Sequence, residues 1–108
     1  MRKLLLLPFL LAPLFAVEPT ADAIEAVKKG DAKAVASLVK TKEGANAALP
    51  NGKNLLMLSV WEGKKDVVLY LISKGADVNA ADKDGKTPLM LARERGYREM
   101  ERLLAAAN

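Results

Sequence analysis

The chain predicts an all-α solenoid of three helix-turn-helix units joined by hairpin-like loops, and three observations carry that reading. The first is one clearly marked unit near the C-terminus. Asp84-Gly85 signals a turn, Thr87 can cap a helix through its hydroxyl, and Pro88 presets φ at the first helical position. Leu89, Leu91 and Ala92 begin an apolar face, Gly96 breaks the helix, and a second helix follows from about Arg98 to Ala106. The second observation is recurrence at a period of about 33 residues. One period back, Gly85 falls on Gly52, Leu89 on Leu56, Met90 on Met57, Leu91 on Leu58, Gly96 on Gly63 and Leu104 on Leu71. A further period brings Gly63 onto Gly30, Val68 onto Val35, Leu71 onto Leu38 and Asn79 onto Asn46. The third observation is where the units differ: Val60 and Val68 become Arg93 and Glu101, and Ile72 becomes Ala105. An interior unit needs apolar flanks on both sides, whereas a terminal one must show water a polar side.

The elements follow in order. Residues 17–20 read as a short linker. The first helix is predicted from Ala21 or Asp22 to Lys29, with Asp22 as its cap and Glu25 three residues on. Gly30-Asp31 breaks it, and a second helix from Ala32 to about Lys40 buries Val35, Leu38 and Val39 at helical spacing. Glu43 to Lys53 is a longer loop containing Gly44, Pro50, Asn51 and Gly52. The middle unit has helices from about Leu55 to Glu62, capped by Asn54, and from about Lys65 to Ser73. Gly75 to Lys86 is the second loop. The repeat domain therefore spans 21–108, in units near 21–52, 53–85 and 86–108. In the first unit Glu25 stands where Leu58 and Leu91 stand later, so both ends are expected to be capped and the stack complete at three units. The middle unit should hold the whole together, since each well-buried Leu or Val contributes roughly 1.5–3 kcal/mol.

With these residues in view, the sequence resembles the ankyrin-repeat family. Thr87-Pro88-Leu89-Met90-Leu91-Ala92 carries the family's opening pattern, with Met90 where histidine is usual. Val67-Val68-Leu69-Tyr70-Leu71-Ile72 carries the second part, and Gly75-Ala76-Asp77-Val78-Asn79-Ala80 the third. The middle unit departs by having Asn54-Leu55 in place of Thr-Pro. The resemblance covers roughly Ala21 onward and implies a stack that works by binding proteins. It also resembles small exported bacterial members of the family.

Export is expected from the start of the chain. Met1-Arg2-Lys3 is basic, Leu4 to Phe15 is apolar, and Ala16 is a small residue at its end, the layout of a cleavable signal peptide over residues 1–16. A membrane anchor fits less well, because a span needs about 20 apolar residues and Pro8 and Pro13 interrupt this run. Periplasmic or secreted localisation follows, with no membrane insertion after cleavage. The chain has no cysteine, which removes disulfides and a cysteine-borne lipid anchor. Loss of Arg2 and Lys3 leaves 15 basic against 13 acidic residues, a net charge of +2. The signs are mixed along every helix, and nothing suggests nucleic acid.

Catalysis is not expected. Without histidine or cysteine, Ser-His-Asp triads, thiol nucleophiles and the usual zinc ligands are missing, and no cofactor is implied. Ser37, Ser59 and Ser73 have no base near them in sequence. Asp82-Lys83-Asp84-Gly85 faintly resembles the start of a calcium loop, but the twelfth position is Arg93 where glutamate is needed, so a solvated turn is the better reading.

What remains is surface. In the family, partners dock on the concave side formed by loop tips and the exposed side of each first helix. By alignment this implies Pro50, Asn51, Lys53, Trp61 and Glu62 in the middle unit, and Ala81, Lys83, Asp84, Lys86, Glu94 and Arg95 in the third. Lys28 and Lys29 are their equivalents in the first. Trp61 is the only tryptophan. Its ring either anchors a partner or folds over the neighbouring loop. The lysines chiefly serve solubility; aligned along one edge, they would also suit an acidic partner. Tyr70 and Tyr97 are expected to cover helix ends, and Met57 and Met90 to fill space between units. The expected role is a monomeric accessory or inhibitory factor bound to an envelope enzyme. The rival is a structural or self-assembling envelope protein.

Overall fold

The computed structural model describes residues 18–108, so the expected leader at residues 1–16 lies outside the described residues. Seven helices follow: α1 (Ala21–Lys29), α2 (Ala32–Leu38), α3 (Lys42–Ala45), α4 (Leu55–Trp61), α5 (Lys65–Ser73), α6 (Pro88–Arg95) and α7 (Arg98–Ala107). The pairs α1/α2, α4/α5 and α6/α7 are the three two-helix units. First helices pack on first helices and second on second, α1 on α4, α4 on α6 and α2 on α5.

The breaks between paired helices are one structural position visited three times. Gly30, Gly63 and Gly96 have φ of 75°, 71° and 73°. Each donates its N–H three residues back, to Val27, Val60 and Arg93. The next residue donates five back, Asp31 to Ala26, Lys64 to Ser59 and Tyr97 to Ala92, at 3.0, 2.9 and 3.0 Å. These bonds satisfy carbonyls that a helix end leaves free, and glycine reaches the required φ without strain. The helix starts are equally local. The side chains of Asn54 and Thr87 accept from the N–H of Met57 and Met90, as their sequence positions imply.

Several expectations are corrected. Thr20, not Asp22, caps α1, its hydroxyl accepting from the N–H of Ala23. The long first loop contains α3, capped by Thr41, whose hydroxyl accepts from the N–H of Gly44. α2 ends at Leu38 instead of Lys40, and Val39 turns extended at φ −119°, ψ 97°. That turn buries Val39 and leaves Leu38 48% exposed, so Leu38 is not a core residue. Met57 is buried but Met90 is 46% exposed, because the third unit covers the former and no unit follows the latter among the described residues.

The core is centred on the middle unit, where Leu55, Leu56, Val60, Val67, Val68 and Leu71 are all fully buried. The substitutions in the third unit act as expected. Arg93 and Glu101 replace two of those valines, lie at the outer flank, and pair with each other at 2.7 Å. Both tyrosines cover helix ends. The Tyr70 hydroxyl donates to the Val39 carbonyl at 2.6 Å, just past the end of α2, and the Tyr97 ring lies against Gly63 after α4.

The loop tips are joined by a contact the sequence does not announce. Asp82 lies in the second tip with its side chain 1% exposed, and the Lys53 ammonium of the first tip donates to its Oδ2 at 2.7 Å. Its Oδ1 accepts from the N–H of Asp84 and Lys86, both at 2.9 Å. The turn is therefore organised around a buried carboxylate and is not a simple solvated loop. The N–H of Lys83 adds a 3.1 Å bond to the carbonyl of Asn51.

Two predictions follow from this packing. Leu71→Ala leaves a hole in the fully buried centre and should lower unfolding free energy by roughly 2–5 kcal/mol, read by urea denaturation. The second concerns acid. The Lys53 ammonium, then the Lys86 and Asp84 amides, hold the Asp82 carboxyl below its ordinary value of 3.8. A depressed folded value stabilises the fold above the ordinary pKa, and that stabilisation is lost as pH falls through the folded one. Asp82→Asn should thus melt at a lower temperature than wild type at neutral pH. In circular-dichroism melts the gap should close as the pH is taken well below the ordinary aspartate range.

Candidate protein-docking surface

The residues picked from the sequence fall into three groups along the edge formed by first helices and loop tips. Pro50 and Asn51 are exposed at the first tip, and Lys83 and Asp84 at the second. The Asn51 side chain is spent locally, accepting from the N–H of Lys53 at 2.9 Å. Lys53 itself is drawn into the ion pair with Asp82, so it serves the scaffold before it can serve a partner.

The second group is an ion pair at the start of the third unit. Lys86 and Glu94 meet at 2.7 Å, each side chain 41% exposed. The hydrogen bond to Glu94, then its charge, raises the Lys86 pKa, so this lysine stays cationic throughout the physiological range. The pair offers both signs to an incoming surface and no net charge.

The third group sits where two units meet. Trp61 ends α4 and Arg95 ends α6, one period further on plus one residue. That offset brings the Arg95 guanidinium over the Trp61 ring, 4.7 Å from its centroid. The guanidinium also lies 5.4 Å from the centroid of Tyr97. Arg95 Nε and Nη2 both donate to the Tyr97 hydroxyl, at 3.3 and 3.0 Å. Trp61 keeps 38% of its surface exposed. One part of its ring packs across the seam against Arg95 and another faces solvent. Glu62 beside it is exposed.

Two contributors went unseen in the sequence. Asp82 left no periodic trace, because one period earlier its place is taken by Leu49. Tyr97 covers a helix end, as its sequence position implies, and it also steers Arg95. A Tyr two residues after an Arg at a helix end is the only signal, and it is a common one.

The side chains offer little for chemistry. The Ser59 hydroxyl donates to the Leu56 carbonyl and that of Ser73 to the Tyr70 carbonyl, and among the described residues no His, Cys, Asp and Glu group is placed to hold a metal. No helix among them is long and apolar enough to cross a membrane.

Known proteins show the same pattern. The chain is similar to Dauer abnormal formation protein 25 of Caenorhabditis elegans, 38% identical over 89 residues that make up 80% of this chain and 22% of that protein. It is 30% identical over 82 residues to Protein phosphatase 1 regulatory subunit 27 of Homo sapiens, 75% of this chain and 53% of that one. With the Notch-regulated ankyrin repeat-containing protein of Xenopus tropicalis it shares 32% identity over 80 residues, 70% of each chain. It thus spans less than two thirds of the length of the first two relatives. The family described as ankyrin repeats (3 copies) matches residues 23–108. That match and the thrice-repeated helix pair place this chain in the ankyrin-repeat family.

Proposed function

We propose that the chain is an exported interaction module that docks a partner protein along the edge carrying Trp61, Arg95, the Lys86–Glu94 pair and the exposed tips. In ankyrin-repeat proteins this is the concave side, and ankyrin repeats generally mediate protein–protein contact. The observation that carries the reading is the Trp61–Arg95 stack. A large aromatic and an arginine, the residue types that dominate binding energy at interfaces, lie together at the centre of the edge and stay accessible.

Export rests on the basic start, apolar run and small residue of Met1 to Ala16. It makes the partner an envelope protein, and a repeat family that generally works as a non-catalytic interaction module fits an accessory or inhibitory factor for an envelope enzyme. A self-assembling structural role is the alternative, and light scattering separates the two: a monomer fits heterologous binding, an assembly does not.

The test is capture from an envelope extract with wild type and Trp61→Ala. A truncated anchor of about 2 kcal/mol weakens binding about thirtyfold, so the variant should lose most of the captured protein. Equal recovery by both removes Trp61 from the account. The mass of the exported protein should correspond to a chain lacking residues 1–16, and an intact N-terminus in that fraction would overturn the leader reading.

A further inference from the structure

We propose that Arg95 is a preformed receptor for a carboxylate, and that the partner meets it with an aspartate or glutamate side chain from an acidic segment. The proposal rests on the docking edge described above and names the chemistry that edge selects.

Lys28, Lys64, Lys83, Arg98 and Arg102 share with Arg95 the lack of a carboxylate partner among the described residues, but of the arginines there only Arg95 lies over aromatic rings. Lys29, Lys53, Lys65, Lys86 and Arg93 each have a carboxylate within ion-pair distance, respectively Glu25, Asp82, Glu99, Glu94 and Glu101. Arg95 has none among the described residues, although Glu94 precedes it and Glu62 holds the equivalent position one period back. Glu94 is held by Lys86, and Glu62 makes no ion pair among the described residues. Instead two aromatic residues hold the guanidinium, the Trp61 ring beneath it and the Tyr97 hydroxyl on its Nε/Nη2 edge.

Its donors show which edge is spoken for. Nε and Nη2 point at the Tyr97 hydroxyl, so the Nε/Nη2 edge is occupied. The Nη1/Nη2 edge makes no hydrogen bond among the described residues, and the residue is exposed. A planar fork with one free edge matches a carboxylate through two parallel N–H···O bonds. Orientation by the rings removes much of the rotamer freedom that a surface arginine otherwise loses on binding. Charge complementarity favours a side chain in an acidic segment over a lone terminal carboxylate. Lys28 and Lys29 stand two periods away along the same edge, Lys29 paired with Glu25 and Lys28 without an ion-pair partner among the described residues, where further carboxylates of one segment would lie.

Trp61, as the only tryptophan, reports on this site directly. The experiment titrates the protein at low salt with a hexaglutamate peptide blocked at both ends, following Trp61 fluorescence. Blocked hexaglutamine and hexaglutamine with a free C-terminus are the controls. The expected result is a saturable change with hexaglutamate alone, weakened at least about tenfold in Arg95→Gln and not restored in Arg95→Lys, which keeps charge but loses the fork. No saturable response, or an undiminished one in Arg95→Gln, overturns the proposal. Binding by free-ended hexaglutamine equal to that of hexaglutamate overturns the choice of a side-chain carboxylate. Capture with Trp61→Ala reads the docking edge separately. If that capture is Trp61-dependent while hexaglutamate fails, the edge stands and the carboxylate receptor falls.

Discussion

A pair of helices seven to ten residues long cannot enclose the apolar flanks it carries. Everything else in this protein depends on that shortage of interior. Leu55, Leu56, Val60, Val67, Val68 and Leu71 lose all contact with water only because another helix pair lies on each side of theirs. The hydrophobic term scales with area removed from water, so stability resides in the seams between units more than within any one of them. Local features serve that end: the left-handed glycine at each break holds paired helices at a constant angle, so each new unit meets its neighbour in the same register.

A constant register turns sequence variation into surface variation. The positions that end the first helices are Lys28-Lys29, Trp61-Glu62 and Glu94-Arg95, the same two slots filled three ways. The scaffold puts few demands on them, and they face outward along one edge. The Trp61–Arg95 stack comes from filling a slot in one unit with an aromatic and the diagonal slot of the next with a guanidinium. Lys53 shows the opposite case, a position on the same edge captured by the scaffold through Asp82.

The fold was legible because its signals are local and repeated. Asn54 and Thr87 as caps, and the three break glycines, each show in a few residues of sequence, and the period checks them against one another. Expectation failed where a unit stops obeying the period. Leu38 aligns with Leu71, yet α2 ends there and Val39 takes the buried place. Met90 aligns with buried Met57 but has no following neighbour among the described residues. Asp82 makes a contact between two loops about one period apart, its own place one period earlier is held by Leu49, and periodicity is blind to that. Of the docking edge, sequence could name the slots but not their partners. Which cation finds a carboxylate and which finds a ring is decided by side-chain geometry across a seam.

The contacts that cover the helix ends also have a direction. Lys64 lies over Gly30 and Tyr97 over Gly63; the Tyr70 hydroxyl reaches back to Val39, and Arg95 to Trp61. In these four contacts at helix ends a later residue closes over an earlier unit, whereas in the loops Lys42 lies forward against Gly75. A ribosome releases the amino end first, so each helix pair emerges with its lid still unmade and stays open until the next has been synthesised. The molecule closes like a row of roof tiles laid from one end, and a nascent chain halted partway leaves its newest tile uncovered.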